Sequence, residues 1–414
     1  MDILACLHAK HRSFTPESKL LWLKVGRLYG ASNPVCRTIK ELSSELSLGD
    51  RFVTRAICDS AKIQGVRDVP DFKPLLISYV ASSRGRPKSQ YMAAPWPEPS
   101  KTTFAELGEG REELIEQILF NVEKAAFKDR GCALSPANCL LLALLVSLAG
   151  ACGEVRGVSR ANLRAMTGMS NERLDNQLKK LRRLGFLFGW VGGGTGKNIL
   201  GVTFGVYWVN LRVCGKIFQV DVSFPDESTI TYDYSGVGKS LLEEVGSIGM
   251  LPRFKNDDAG GQTVVWSPLE REARGVLNFF EMDPGGRFEA VLQQALEEAT
   301  AWVAMRILIR AETYRVDVER LIFELGDEER ESFKTRYQPV FLPRSVLTKS
   351  AFAKDVVVES LMDYLLDVCL EMSKGVVLPI CERYRDRLMG KPLHLALAVS
   401  SREFTDERTI LLAV

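Results

Sequence analysis

The sequence predicts a mainly helical α+β protein with small β-hairpins, and three observations predict it. Apolar residues recur at helical spacing along much of the chain. Two of the helical segments are followed by short alternating stretches that are typical of hairpins. From residue 269 to residue 390 the pattern is again helical. Because the order of helix, turn, helix and hairpin occurs twice, we expect two similar domains followed by a helical C-terminal domain.

Bulk composition describes a globular chain. Its 414 residues are enough for two to four domains, and 46% are hydrophobic while 26% are charged. The nine cysteines are scattered without a C-x-x-C pair, and the N-terminal residues do not look like a secretory signal, so we expect a cytoplasmic protein with free thiols. The longest apolar run, residues 139–149, is too short to span a bilayer, so no membrane association is expected.

The first copy of the pattern occupies residues 1–94. Residues 1–16 are expected to form a loosely docked arm, and 16–29 a helix. Two further helices are predicted at 39–46 and 51–63, and strands at 66–80 and 89–94. The side chains expected to face outward on the last helix and on the hairpin tip are Arg51, Thr54, Arg55, Arg84, Arg86 and Lys88.

The second copy occupies residues 111–210, after a Pro-rich linker at 95–110. Thr167-Gly168-Met169-Ser170 predicts a tight turn, in which the glycine ends one helix and Ser170 caps the next. Leucines recur every three or four residues along the second helix and predict its buried stripe. Strands are expected at 186–191 and 199–210. The polar side chains expected on the outer side of the helix and on the tip are Asn171, Arg173, Asn176, Gln177, Lys180 and Lys197.

The stretch TGMSNERLDNQLKKLRRLGFL resembles the recognition half of bacterial winged helix-turn-helix transcription regulators, and RGRPKSQY resembles the wing tip of several of them. The well-matched part covers about 50 residues. The resemblance implies tandem winged-helix domains whose second helices enter the major groove and whose wings meet the backbone or minor groove. Two plainer interpretations stay open: a helix-turn-helix that docks protein, and a tip that is only a solvated turn.

Charge is distributed unevenly. Residues 1–92 hold 15 Lys/Arg against 8 Asp/Glu, a balance of +7, and residues 154–197 hold 9 against 3, a balance of +6. Since the whole chain carries only +2, the rest must carry −11. Two basic regions that coincide with the two helix-turn-helix patterns favour a DNA-binding part and an acidic part that does not bind DNA.

Residues 211–414 predict a mainly helical C-terminal domain. A hairpin is expected at 216–224 and 228–234, apolar helices at 287–310 and 353–370, and a final hairpin at 393–399 and 409–414. Helices this apolar suggest either a homodimer interface or an intramolecular core. The domain would also be the place for a partner protein or an effector.

Catalysis is not predicted. The chain has three histidines, no nucleophile elbow and no metal-ligand spacing, so no metal and no cofactor are expected. GGGTGKN at 192–198 and GVGKS at 236–240 contain Gly-Lys, but both lack the glycine that a phosphate-binding loop requires. Neither stretch therefore predicts a nucleotide site.

The leading hypothesis is a transcription regulator that binds double-stranded DNA sequence-specifically through two winged-helix units, as a homodimer. A plasmid- or phage-type replication initiator is the first alternative, because such proteins also use two winged-helix domains in tandem. A structural or assembly protein whose winged helices contact protein is the second. We expect discrimination between DNA sequences to reside mainly in the second unit, and Arg51, Thr54 and Arg55 to contact mainly the backbone.

Overall fold

A computed structural model describes fifteen ranges of the chain: 2–10, 14–61, 75–80, 88–94, 110–120, 134–194, 200–221, 226–231, 250–256, 262–268, 287–314, 325–343, 355–384, 394–399 and 407–413. The described part is mainly helical with small antiparallel sheets, as the sequence predicts. The chain divides into two units. The first contains Met1–Phe188 and Tyr207–Phe224, and the second contains Gly189–Val206 and Pro225–Val414.

The first unit begins with helix α1 and continues with one helix, strand, helix, helix, strand, strand series, here named the first repeat. The elements are α1 (Ile3–His8), α2 (Pro16–Tyr29), β1 (Val35–Cys36), α3 (Ile39–Glu45), α4 (Asp50–Ala61), β2 (Leu75–Val80) and β3 (Lys88–Ala93). Reciprocal capping boxes start two of the helices: Thr15 with Ser18 at α2, and Thr38 with Glu41 at α3. The strands form an antiparallel sheet in the order β1-β3-β2.

The second repeat has the same order of elements and follows α5 (Arg111–Phe120). It consists of α6 (Pro136–Leu148), β4 (Glu154–Val155), α7 (Arg160–Thr167), α8 (Asn171–Arg183), β5 (Leu187–Val191) and β6 (Val206–Val209). Its sheet has the order β4-β6-β5, so in both repeats the third strand lies between the first and the second. Ser135, Ser159 and Ser170 cap α6, α7 and α8 by accepting a hydrogen bond from a backbone N–H.

Helices α2 and α6 are buried along nearly their whole lengths and form the centre of the first unit. Every residue from Pro16 to Gly26 is buried, and so is every residue from Ala137 to Val146. Trp22 stacks on Phe14 with ring centroids 5.6 Å apart, and its Nε1 donates to the carbonyl of Ala94 at 2.8 Å. The ranges expected as separate domains, 1–94 and 111–210, therefore share one core up to Phe188, because α2 packs on α6.

Two expected elements of the first unit differ from the structure. The arm expected over residues 1–16 contains α1, which Asp2 caps and whose residues Ala5 to His8 are buried. The strand expected at 216–224 begins inside helix α9 (Leu211–Phe218), and the described residues that follow this helix, 219–221, are not a strand either. Asn210 caps this helix, and Leu211, Cys214 and Phe218 lie buried on one side of it, a spacing that period-two alternation does not reveal.

The second unit combines three long helices with two small sheets. In chain order its elements are β7 (Asp226–Thr231), β8 (Met250–Asn256), β9 (Gln262–Pro268), α10 (Arg287–Tyr314), α11 (Asp327–Phe341), α12 (Asp355–Tyr384), β10 (His394–Val399) and β11 (Glu407–Ala413). The final hairpin predicted by the sequence is confirmed as β10 paired with β11, and β11 also pairs with β7. β8 and β9 form a separate hairpin whose tip, residues 257–261, lies outside the described residues.

The apolar faces of α10 and α12 are buried within this unit. They form one core with α11, in which Trp302, Phe333, Tyr337 and Phe341 are in ring contact. The segment Gly189–Val206, expected as the wing of the second repeat, belongs to the same unit. Its Leu200 is buried in this core and donates its backbone N–H to the carbonyl of Phe341 at 2.6 Å. Among the described residues, no helix is both long and apolar enough to cross a membrane.

Candidate nucleic-acid interface

The turn between α7 and α8 has the geometry that its sequence predicts. Gly168 ends α7 with φ +71°, a left-handed conformation that a side chain disfavours. A Cβ at this position would also lie 2.2 Å from the carbonyl oxygen of Phe14, so the glycine allows the turn to approach the segment before α2. Ser170 then accepts a hydrogen bond from the N–H of Arg173 at 3.2 Å and starts α8. The turn therefore holds α7 and α8 in a fixed arrangement.

The outer face of α8 differs partly from the predicted one. Leu174, Leu178 and Leu181 are buried, as the stripe requires. Of the five predicted contact residues, Asn171 and Asn176 are exposed, whereas Arg173, Gln177 and Lys180 are half-buried. The residues that share the most exposed stripe are Glu172, Asn176, Lys179 and Arg183.

Three of these stripe residues were not predicted as contacts. Glu172, Lys179 and Arg183 follow one another at steps of seven and four residues, with Asn176 between the first two, which is the spacing of one helix face. The signal was present in the sequence, because a face can be read directly opposite the leucine stripe. Lys179 and Arg183 make the last two turns of this face basic.

Arg173 contacts α2 rather than solvent. Its Nη2 and Nη1 donate to the two carboxylate oxygens of Glu17 at 2.8 and 3.1 Å, and the Glu17 side chain is only 7% exposed. Burial is the largest single influence and raises the pKa of Glu17. The hydrogen bond from Arg173, a backbone hydrogen bond and the charges of Arg173 and Arg55 together outweigh it and bring the pKa below its usual value. Arg173 therefore neutralises a buried carboxylate, which is a structural role.

Gln177 is also engaged within the protein. Its Oε1 accepts from Ser135 Oγ at 3.3 Å, and its backbone carbonyl accepts from Asn138 Nδ2 at 3.5 Å. Both partners lie at the start of α6, so the hydrogen bonds tie α8 to that helix. On the other side of α8, Asp175 forms an ion pair with Arg160 of α7. The flanks of α8 are thus used for packing, and its exposed side chains are those of the outermost stripe and Asn171.

The corresponding face of α4 agrees with the prediction in its exposure. Arg51, Thr54 and Arg55 are all exposed, and Cys58 continues the same stripe. The hydroxyl of Thr54 donates to the backbone carbonyl of Asp50 at 2.8 Å, which leaves the two arginines as the charged groups of the face. Arg55 Nε lies 3.9 Å from Asp59 Oδ2, a loose and exposed contact that contributes little to stability.

The predicted tips lie mostly outside the described residues. Arg84, Arg86 and Lys197 are not among them, and Lys88 is described only as the first residue of β3. The residues flanking Lys197 belong to the second unit, where Thr203 and Gly194 are joined by backbone and side-chain hydrogen bonds of 2.9 to 3.2 Å. This part of the expected wing groups with the C-terminal helices, and Leu200 attaches it to them by donating its backbone N–H to Phe341.

Two buried lysines of α2 hold the helix-turn-helix segments of both repeats. Lys19 Nζ donates to the carbonyls of Leu7, Ala9 and Met166 at 2.6, 2.8 and 2.5 Å, and Met166 is in the last turn of α7. Three acceptors match the three N–H groups of an ammonium ion. Lys24 Nζ donates at 3.1 Å to the carbonyl of Leu46, the C-cap of α3. Positive charge at a helix C-terminus is favourable, so each lysine stabilises the end of the helix that precedes a turn.

Burial perturbs both ammonium groups. It lowers the pKa of Lys19 to about 7 and that of Lys24 to about 8. A buried donor or acceptor that loses its partner costs about 1–3 kcal/mol. Because α2 satisfies carbonyls at the ends of α3 and α7, displacing either of these helices from α2 would leave buried polar groups without partners.

Comparison of the chain with protein-family models, curated proteins and solved structures finds no match. Within the described ranges, no group of three or more His, Cys, Asp or Glu side chains has the arrangement of a metal site. The geometry of the two repeats is the feature that bears on function. Its main features are two repeats with identical element order and, in each, a third helix (α4 or α8) with an exposed face that contains basic residues.

Proposed function

We propose that this protein binds double-stranded DNA sequence-specifically through two winged helix-turn-helix units and acts as a transcription regulator. The observation that carries the proposal is the duplicated series of helix, strand, helix, helix, strand and strand. In both copies the sheet has the same strand order, and the third helix of the series, which is the second helix of the helix-turn-helix, presents an exposed face. A winged-helix unit contacts the major groove with this helix.

The side chains on the two faces support the chemistry of DNA recognition. Asn176 can form two hydrogen bonds with adenine, and arginines can do so with guanine. Lys179 and Arg183 on α8, and Arg51 and Arg55 on α4, supply charge for phosphates. Since Arg173 and Gln177 are engaged inside the protein, base reading by α8 would centre on Asn176.

A replication initiator is the second candidate. The observation that favours it is the packing of the helices of both repeats into one unit of a single chain. Such a chain carries two contact helices without dimerising, which suits asymmetric or directly repeated sites. A regulator that acts as a symmetric dimer would instead bind palindromes, because the symmetry of the site mirrors that of the protein.

The homodimer stays a prediction. The apolar C-terminal helices suggest it, but the buried apolar residues of α10 and α12 pack against each other and against α11. Sedimentation of the full chain measures the state directly. A dimer that persists at nanomolar concentration would support a symmetric regulator, and a monomer would support single-chain recognition.

Selection of duplexes from a random pool, followed by fluorescence anisotropy, tests the proposal. We expect enriched sequences to bind at least about 1,000-fold more tightly than scrambled ones, with affinity falling steeply between about 50 and 200 mM salt. Directly repeated selected sites would favour the initiator, and palindromes the regulator. If no duplex binds, the repeats are better explained as protein-docking modules.

Charge substitutions in the two tips and on α8 add a matched comparison. Replacing Arg84, Arg86 and Lys88 with alanine should weaken binding to all sequences alike, because these residues are expected to contact the backbone or minor groove. Replacing Asn176 with alanine should reduce the preference for the selected site and keep most non-specific affinity. Arg27→Ala is the control, since Arg27 is an exposed arginine of α2 that pairs with Glu116 instead of lying on either face.

A further inference from the structure

Both candidate contact helices meet at the first turn of α2. Thr15, the N-cap of that helix, donates its hydroxyl to Asp59 Oδ2 of α4 at 3.1 Å. Two residues later, Glu17 accepts both guanidinium hydrogen bonds of Arg173 from α8. One turn of one helix therefore holds the two helices that the proposed function assigns to DNA.

The turns that precede these helices are fixed to the same element. The carbonyl of Leu46, at the end of α3, accepts from Lys24, and that of Met166, at the end of α7, accepts from Lys19. The turn at Gly168 also lies against the backbone of Phe14, just before α2 begins. In each repeat, the turn and the contact helix are thus attached to α2, and the hydrogen bonds that attach them are at least half-buried.

These attachments also limit the separation of the two helices. Helix α4 packs on α2, α2 packs on α6, and α6 packs on α8. Packed helices have axes about 8–10 Å apart, so these three packing steps place α4 and α8 at most about 24–30 Å apart. The salt bridge between Arg173 and Glu17 joins α8 to α2 directly. Half-sites that are read by independent heads in successive major grooves lie about 34–36 Å apart. The two contact helices are therefore held closer together than that spacing.

We propose that one chain reads a single continuous stretch of duplex, in which α4 and α8 contact bases at a fixed spacing set by α2. The inference rests on the proposed DNA binding and goes beyond it, because it specifies the form of the site. Two domains joined by a flexible linker would tolerate a change in the spacing of their half-sites. Two helices attached to one rigid helix would not.

A spacing series on a selected duplex tests this proposal with the full-length chain. One base pair, or one helical turn of about 10 base pairs, is inserted at the centre of the protected region. We expect both insertions to weaken binding by about 100-fold or more, since each separates the contacts of the two helices. Binding that returns to within about threefold after the full-turn insertion would overturn the fixed spacing. So would two protected regions separated by an exposed turn.

A loosened variant supplies the second arm. Glu17→Gln removes the charge that holds Arg173, so the loss caused by a one-base-pair insertion should shrink several-fold. Glu116→Gln is the control, because Glu116 pairs with Arg27 at the surface and does not touch either contact helix. If circular dichroism shows that Glu17→Gln is unfolded, Thr15→Val takes its place and releases α4 instead. Equal insertion penalties in the folded variant and the control would contradict the role given to α2.

The outcomes separate this inference from the function on which it rests. If selection yields no duplex that binds more tightly than scrambled DNA, the proposed function fails and the spacing proposal fails with it. If a duplex is selected and tolerates full-turn insertions, DNA binding stands and the fixed spacing is wrong. If both insertions abolish binding and Glu17→Gln relieves the penalty, the single continuous site is supported.

Discussion

Replacing Arg173 with glutamine should destabilise the first unit rather than merely weaken DNA recognition. The substitution leaves the Glu17 carboxylate, 7% exposed, without its partner, while Arg173 itself is 31% exposed. Breaking a fully buried pair costs about 3–5 kcal/mol, and an exposed pair contributes about 0–1 kcal/mol. For this intermediate case we expect a loss of about 2–3 kcal/mol. At about 2–4 °C per kcal/mol, the melting temperature should fall by roughly 4–12 °C.

Thermal and urea unfolding, followed by circular dichroism, measure this loss. The double variant with Glu17→Gln should lose less than the sum of the two single variants, because the pair is removed only once. The pH dependence gives a second check. Since the pKa of Glu17 is lowered from its usual 4.5 in the folded state, the pair stabilises the protein above that pH and the contribution is lost as the pH falls through the folded pKa. The difference between wild type and Arg173→Gln should therefore shrink in acid.

One result would refute this reasoning. If Arg173→Gln had the melting temperature of the wild-type protein and yet lost its preference for the selected duplex, Arg173 would contact bases, as the sequence alone suggests. Asn176→Ala is the stability control, because an exposed side chain on the same helix should change the free energy of unfolding by less than about 0.5 kcal/mol.

Three further predictions concern the same unit. Lys179→Ala and Arg183→Ala should each lower affinity for all duplexes and reduce the slope of log affinity against log salt concentration by about 1. Titrations at several salt concentrations measure this slope. An unchanged slope would show that the two residues do not contact phosphates. Lys19→Met should lower the free energy of unfolding by about 3 kcal/mol at pH 7, because three carbonyls lose their donor. The pKa of Lys19 is lowered from 10.5 to about 7, so the unfolded chain binds more protons than the folded chain between these pH values. The contribution of Lys19 to the free energy of unfolding should therefore rise with pH in this range. Parallel curves of unfolding free energy against pH for the wild type and Lys19→Met would contradict the lowered pKa. An alanine in the left-handed conformation costs roughly 1–2 kcal/mol, and Gly185→Ala, at φ +81° with nothing within 4 Å of its Cβ, should lose only that much stability. Gly168→Ala should lose well over that amount, because its Cβ would also clash with the backbone of Phe14. Equal melting temperatures of the two variants would refute the close approach of Gly168 to Phe14.

The local elements could be predicted because their signals are local. The turn at Gly168, the cap at Ser170 and the leucine stripe of α8 lie within 15 residues of one another, and all three are present in the structure. The final hairpin was predictable for the same reason, because each strand carries its own alternation. Helix α9 was missed because its buried residues are spaced three and four apart within a stretch that also alternates.

The roles of charged residues could not be predicted in the same way. Arg173 is 156 residues from Glu17 in sequence, and Lys19 is 147 from Met166. An outward position on a helical wheel does not reveal whether another part of the chain covers it. The sequence therefore predicts a DNA contact for Arg173, while the buried carboxylate of Glu17 decides the orientation of its side chain. The shared role of α2 was hidden for the same reason, since each of its polar contacts joins a different element.

The hydrogen bond between Leu200 and Phe341 also bears on the order in which the chain acquires its structure during synthesis. Leu200 leaves the ribosome 141 residues before Phe341. At about 5–20 residues per second, this delay is roughly 7–28 s. The described helices of the first unit have all been synthesised once Phe218 has been added. The segment Gly189–Val206 groups with the second unit, whose helices are synthesised later. Until α11 emerges, Leu200 lacks both the apolar core that covers it and the carbonyl that accepts its backbone N–H in the complete protein.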